Sequence, residues 1–228
     1  MAKKPLKALL LAMPAVGDDA DFARIPDRGR AGPCYDQTVA PPDTGPSLLK
    51  LTYEDYLALP QDGKRHEIID GEHYVTPSPT LRHQRALGNL HLAIGLFLRE
   101  HPLGKLFLAP LDVILSKFDV VEPDLLFVSN AKLEILIGGY VHGAPDLVVE
   151  ILSPSTLRHD AITKRRLYGK FGVLEYWLVD PEREQVEIYR LTGGSLEKVL
   201  ELTLERRETL STPLLPGFSL PLDEIFAD

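Results

Sequence analysis

The chain is expected to fold as an α/β domain, a mixed β-sheet flanked by helices, and three observations carry that expectation. Short runs of Leu, Val, Ile and Phe, among them 125–128 and 147–152, have strand length and are bounded by turn residues. Longer stretches over 87–98 and 157–171 have helical length, the first strongly apolar and the second with a crowded polar face. The elements follow one another as helix, strands, helix, strand, the order of a mixed sheet with helices on its faces.

The elements can be justified in turn. From Met13 to about Ser47 the chain is dense in Pro, Gly, Asp and Arg with no sustained period, and residues 1–47 are expected to be a flexible leader. Residues 48–228 form the domain, with its core over about 51–191 and a C-terminal extension over 192–228. Thr52 is an N-cap with Asp55 at N3 and Pro60 as a stop, which predicts one short helix. Residues 66–75 predict a hairpin turned at Asp70-Gly71. After Pro77-Ser78-Pro79, a long apolar helix should end near His101-Pro102. Single strands are expected over 105–115 and 121–128. Gly138-Gly139 and Gly143 mark a loop before the strand 147–152, and Gly172 should stop the helix that follows. Strands over 174–181 and 186–191 come next, with Tyr176 and Trp177 in the core. Weaker strands, 200–204 and 208–210, precede an extended segment over 214–222.

The bulk properties set limits on function. A net charge of −8 argues against a broad basic surface that coats nucleic acid, although an acidic site rimmed by local Arg and Lys is compatible with it. One cysteine, Cys34, rules out an intramolecular disulfide and a cysteine-built zinc site. Lys7 and Pro14 interrupt the apolar start of the chain, so a cytoplasmic location is expected rather than export.

Two carboxylates stand out. Asp124 opens the run Leu125-Leu126-Phe127-Val128, and Glu150 lies inside Leu147-Val148-Val149-Glu150-Ile151-Leu152. An unpaired carboxylate in such surroundings costs several kcal/mol, so each calls for a cation or hydrogen-bond donors. Pro123 fixes the entry to its strand and places Asp124 at the end of the sheet. If the two strands are neighbours, both acids can converge on one Mg²⁺, an ion that takes a few carboxylates and keeps several waters. Pairing with backbone amides or an Arg is the alternative reading of the same residues.

Beyond these single residues, the chain resembles the Uma2 family. Glu122-Pro123-Asp124, then Val148-Val149-Glu150-Ile151-Leu152-Ser153-Pro154-Ser155-Thr156, the stretch Asp160 to Tyr168 and the stretch Gly172 to Pro181 carry the likeness. The earlier helix at Thr52, the hairpin at Glu67 and the helix entry at Ser78 to Gln84 agree with it. The resemblance implies a restriction-endonuclease-like fold and a Mg²⁺-dependent endonuclease, with Mn²⁺ able to substitute and DNA as partner. By that resemblance Asp124 and Glu150 bind the metal, with the Ile151 carbonyl as an added ligand and Glu67 completing the acidic cluster. The general motif wants a lysine two residues after the second acid, where this chain has Leu152. Lys164 on the following helix is the candidate in its place, flanked by Asp160 and Tyr168 on one face. His83 and Gln84 would line the cleft, and Arg158, Arg165 and Arg166 would hold the phosphate backbone. A homodimer follows by analogy with enzymes that cut two strands. The rival expectation is a non-catalytic interaction or regulatory module that keeps this fold within a DNA-processing complex.

Overall fold

The structure, a computed structural model, describes residues 50–60, 62–153 and 159–227. The leader with Cys34, and Arg158, lie outside the described residues. Among the described residues no helix is long and apolar enough to cross a membrane.

Helix α1 spans Tyr53–Leu57 and starts as its cap residues require. The Thr52 side chain accepts from the Asp55 amide, while the Asp55 carboxylate accepts from the Thr52 amide at 2.8 Å. Strands β1 (Arg65–Ile69) and β2 (Glu72–Thr76) form the expected hairpin. Its turn residues Asp70 and Gly71 both have positive φ, at 51° and 79°, the conformation that matches the twist of the two strands. A Cβ on Gly71 would also lie 2.5 Å from the Lys50 Cβ. Gly71→Ala is therefore expected to destabilise the fold by about 1–2 kcal/mol in urea titrations.

Helix α2 (Leu81–Glu100) is capped by the Thr80 side chain and ends at His101. Strand β3 is Gly104–Leu108, β4 Val113–Ser116, β5 Asp119–Val121 and β6 Leu125–Ser129. The two single strands expected over 105–115 and 121–128 are each divided. Pro110 and Pro123 lack the amide a ladder needs, and at both places the chain leaves one sheet for the other. The two crossing segments lie side by side, the Ala109 amide donating to the Asp124 carbonyl at 3.1 Å.

A 3₁₀ turn (Asn130–Ile135) leads to β7 (Leu136–Ile137) and β8 (Tyr140–His142), a small hairpin in place of the expected loop. Strand β9 is Leu147–Ile151. A π-helical turn over His159–Lys164 runs into α3 (Arg165–Phe171), and Gly172 stops it in the left-handed conformation at φ 87°. Strands β10 (Glu175–Asp180), β11 (Gln185–Thr192) and β12 (Ser195–Thr203) follow. The C-terminal segment pairs β13 (Thr209–Leu210) with β14 (Leu220–Pro221) and closes with a short helix, α4 (Leu222–Phe226), where only extended chain was expected.

Two six-stranded sheets result, in the orders β2-β1-β5-β4-β8-β7 and β12-β11-β10-β9-β6-β3. In the second, β9 and β10 are parallel, joined through the π turn and α3, and β6 runs antiparallel to β9. Alternation divides the side chains of its strands between two cores. Leu125, Phe127, Leu147, Val149 and Trp177 pack under α2 and the C-terminal segment. Leu126, Val128, Val148, Tyr176 and Leu178 meet α3 together with Ile69, Val113 and Val121 of the first sheet.

Candidate active site

That alternation decides where the acids go. Glu150 shares a strand face with Val148, the face turned toward α3. Glu67 shares its face with Ile69, which belongs to the same core. The first residue pair of the β6–β9 ladder is Leu125 opposite Val149, so Asp124 arrives beside the end of β9. Glu67, Asp124, Glu150, Asp160 and Lys164 are all at least nine-tenths buried.

Lys164 is the hub. Its Nζ lies 2.8 Å from Glu67 Oε1, 3.0 Å from Glu150 Oε1 and 3.6 Å from Asp160 Oδ1. The lysine thus ties the first sheet to the second. Burial works against its charge, but Glu150, Glu67 and Asp160 outweigh it and hold the ammonium protonated well above the usual range. The Tyr168 hydroxyl, one turn further on, donates to Glu150 Oε1 at 2.9 Å. One ammonium against three carboxylates leaves a buried excess of negative charge. Burial, reinforced by Asp160, Asp124 and Glu67, accordingly pushes the Glu150 carboxyl up to about 8, despite the opposing pull of Lys164.

Asp124 is held in the opposite state. Its Oδ1 accepts from Arg65 Nη1 at 2.6 Å, and its Oδ2 accepts from the Ile151 amide at 2.8 Å and faces His83 Nε2 at 3.1 Å. Burial alone would raise its pKa. The His83 contact, the Arg65 charge and the Ile151 amide prevail and bring it down to about 2. Because the unfolded chain binds this proton more readily, the stabilisation is complete above pH 3.8 and is lost as pH falls through about 2. The loss should reach about 2 kcal/mol in urea titrations, and Asp124→Asn should flatten that acid limb.

Three buried polar atoms around this cluster have no hydrogen-bond partner among the described residues: Glu67 Oε2, His83 Nδ1 and His159 Nε2. The first and last lie 3.9 Å apart, with the His159 ring 4.3 Å from that of Tyr74. An unpaired buried group costs about 1–3 kcal/mol, and such groups are tolerated where function requires them.

Two openings reach the cluster. A hollow of about 20 Å³ is lined by Asp124, Glu150, Ile151 and Lys164 together with Arg65 and His83. A cleft of about 860 Å³ adjoins it and shares Arg65, His83 and Asp124. Among the described residues no group of three or more His, Cys, Asp or Glu is arranged to hold a metal ion. The hollow has room for about one water-sized particle. The two carboxylates at its wall, Asp124 and Glu150, are oxygen donors of the kind a hard divalent cation takes.

The residues expected from the sequence are distributed unevenly around these openings. Asp124, Glu150, Ile151, Lys164 and His83 come together. Gln84 is exposed and lines the larger cleft. Glu67 does not line the hollow: it stands behind the lysine, its Oε1 taken up by that ammonium and by the Glu122 amide at 2.9 Å. Arg165 turns away, its guanidinium carbon stacked 4.9 Å from the Tyr189 ring centre, and lines neither opening. Sequence reasoning passed over Arg65, Glu122 and His159. Arg65 was within reach, since it stands two residues before Glu67 and so on the same strand face.

The fold and this acid–lysine cluster define a nuclease-type α/β domain. A crystal structure titled as "a putative nuclease belonging to DUF820", from Anabaena variabilis ATCC 29413, is similar at a TM-score of 0.66. It is 21% identical, and the match covers 78% of this chain and 98% of that one. The family model described as "Uma2: Putative restriction endonuclease" matches residues 53–223, and the chain belongs to that family. No curated protein matches.

Proposed function

We propose that the protein is a metal-dependent endonuclease that hydrolyses phosphodiester bonds of nucleic acid, with DNA as its polymer and Mg²⁺ or Mn²⁺ as its cofactor. The observation that carries this reading is the convergence of Asp124, Glu150 and Lys164 on one small hollow that adjoins a large cleft. Asp124 and Glu150 would hold the ion with the Ile151 carbonyl. When bound, such an ion lowers the pKa of water and neutralises charge on a phosphodiester oxygen. The protein's own groups account for the rest. Lys164, kept charged by three acids, orients water and offsets negative charge on the phosphate. Arg65 and His83 fix the Asp124 carboxylate in place.

Cleavage of plasmid and of single-stranded DNA with Mg²⁺ or Mn²⁺ tests this reading. Both Asp124→Ala and Glu150→Ala should lose cleavage, and calorimetry should show Mn²⁺ uptake that each variant abolishes. A wild-type protein that cuts neither substrate with either ion refutes the proposal. One observation favours a non-catalytic module instead: Asp124 is already fully engaged by Arg65, His83 and the Ile151 amide. On that reading Mn²⁺ gives no carboxylate-dependent heat. By analogy with nucleases that pair two subunits, a homodimer in the cytoplasm belongs to the proposal, and sedimentation checks the dimer.

A further inference from the structure

We propose that the large cleft is a nucleobase pocket, and that the substrate enters as a single strand with an unpaired guanine seated against Asp112 and Glu122. The proposal rests on the nuclease reading for what happens at the Asp124 end. At about 860 Å³ the cleft has the size of a ligand pocket, and only an unpaired base can offer its Watson–Crick edge to the wall. Arg65, His83 and Asp124 line it, and so do Tyr56, Asp112 and Glu122. Glu122 and Asp124 are two residues apart, so at most about 7 Å of chain separates them. That is comparable to the offset between the phosphate and the base of one nucleotide.

Counting protons identifies the base. The Tyr56 hydroxyl lies 2.8 Å from Asp112 Oδ1 and 3.3 Å from Glu122 Oε1, but it has one proton and donates to the nearer oxygen. Two carboxylates therefore share a single donor, although Glu122 is only 6% exposed. The corner calls for N–H groups from a ligand. The Watson–Crick edge of guanine presents adjacent N1–H and N2–H donors that fit one carboxylate side by side. Adenine and cytosine each present one amino donor beside a ring acceptor, and thymine one N–H between two carbonyls, so none of them offers two adjacent donors. The Val141 amide, bonded to the Asp112 carbonyl at 3.0 Å, brings Tyr140 to the same corner, and both Tyr56 and Tyr140 line the cleft. Aromatic faces of this kind take an unstacked base. Independently, His83 is 5% exposed, lines the cleft and has no partner for its Nδ1 among the described residues.

Fluorescence anisotropy with labelled eleven-mers of dT carrying one central guanine, one central inosine or neither tests the proposal, with a duplex of the guanine strand as the fourth probe. The guanine strand should bind at least about tenfold more tightly than the other three, the size of one good bidentate contact. Glu122→Gln should erase that preference, and Asp112→Asn reads the same corner should the first variant fail to fold. Asp124→Asn should keep the preference while losing cleavage. Equal affinity for guanine and inosine, or tighter binding of the duplex, overturns the base pocket even where cleavage is intact. A guanine preference without any cleavage overturns the nuclease reading alone.

Discussion

Lys164→Met should lower the stability of the folded protein by about 3–5 kcal/mol and abolish cleavage. Methionine fills much of the same volume, so the effect is electrostatic rather than a cavity. Without the ammonium, Glu67, Glu150 and Asp160 lose the cation they share in a buried site. They respond by taking up protons. The folded variant then binds more protons than the unfolded chain, so its stability is greatest at low pH and falls as pH rises above the ordinary carboxyl value of about 4.5. Wild type shares that direction through Glu150, which is pushed up to about 8 even against the pull of the charged lysine. Urea titrations at pH 5 and pH 8 should therefore separate the two proteins more widely at pH 8. Equal stabilities at both values would remove Lys164 from the centre of the site.

Glu67→Gln should have the next largest effect, and it distinguishes a metal ligand from a lysine anchor. The amide oxygen can still accept from the Glu122 amide, but the nearest of the three charges opposing Lys164 is gone. A hydrogen bond to a charged group contributes about 1.5–3 kcal/mol, and a loss in that range is expected on unfolding. A lysine no longer held between the two sheets is misplaced for the phosphate, so the cleavage rate should fall by roughly a hundredfold. Mn²⁺ affinity should stay within about twofold, because Glu67 stands behind the ammonium and not at the hollow. A large drop in Mn²⁺ affinity would return Glu67 to the role of metal ligand.

Local signals were legible in the sequence. Thr52 with Asp55, Asp70-Gly71 and the stop at Gly172 each fix a few neighbouring dihedrals, and the structure has all three features. The expected meeting of Asp124 and Glu150 was legible too, because a charge inside an apolar run has few ways to be satisfied, whereas Lys164 came only from the family resemblance. What was not legible depends on partners far along the chain. The strand face shared with Glu67 put Arg65 within reach, but nothing near it announces its partner Asp124, 59 residues away, and nothing near Glu122 announces the amide bond to Glu67. The division of two expected strands at Pro110 and Pro123 is a third case. Hydropathy continues through Pro110 and breaks at Pro123 only for Glu122 and Asp124, so the missing amides were the signal common to both crossings.

Those crossings have a mechanical consequence. Residues 109–112 and 122–124 are two of the straps by which the chain passes between its sheets, and they are stitched to each other at Ala109. A slide of one sheet over the other cannot be absorbed by a loose loop at this place; it must pull on Asp124 and shift the distance from Glu67 to Glu150 across the lysine. Shear between the layers is thereby coupled directly to the spacing of the acidic groups, and a clamp that bridged the two sheets elsewhere on the surface would stiffen the whole cluster at a distance.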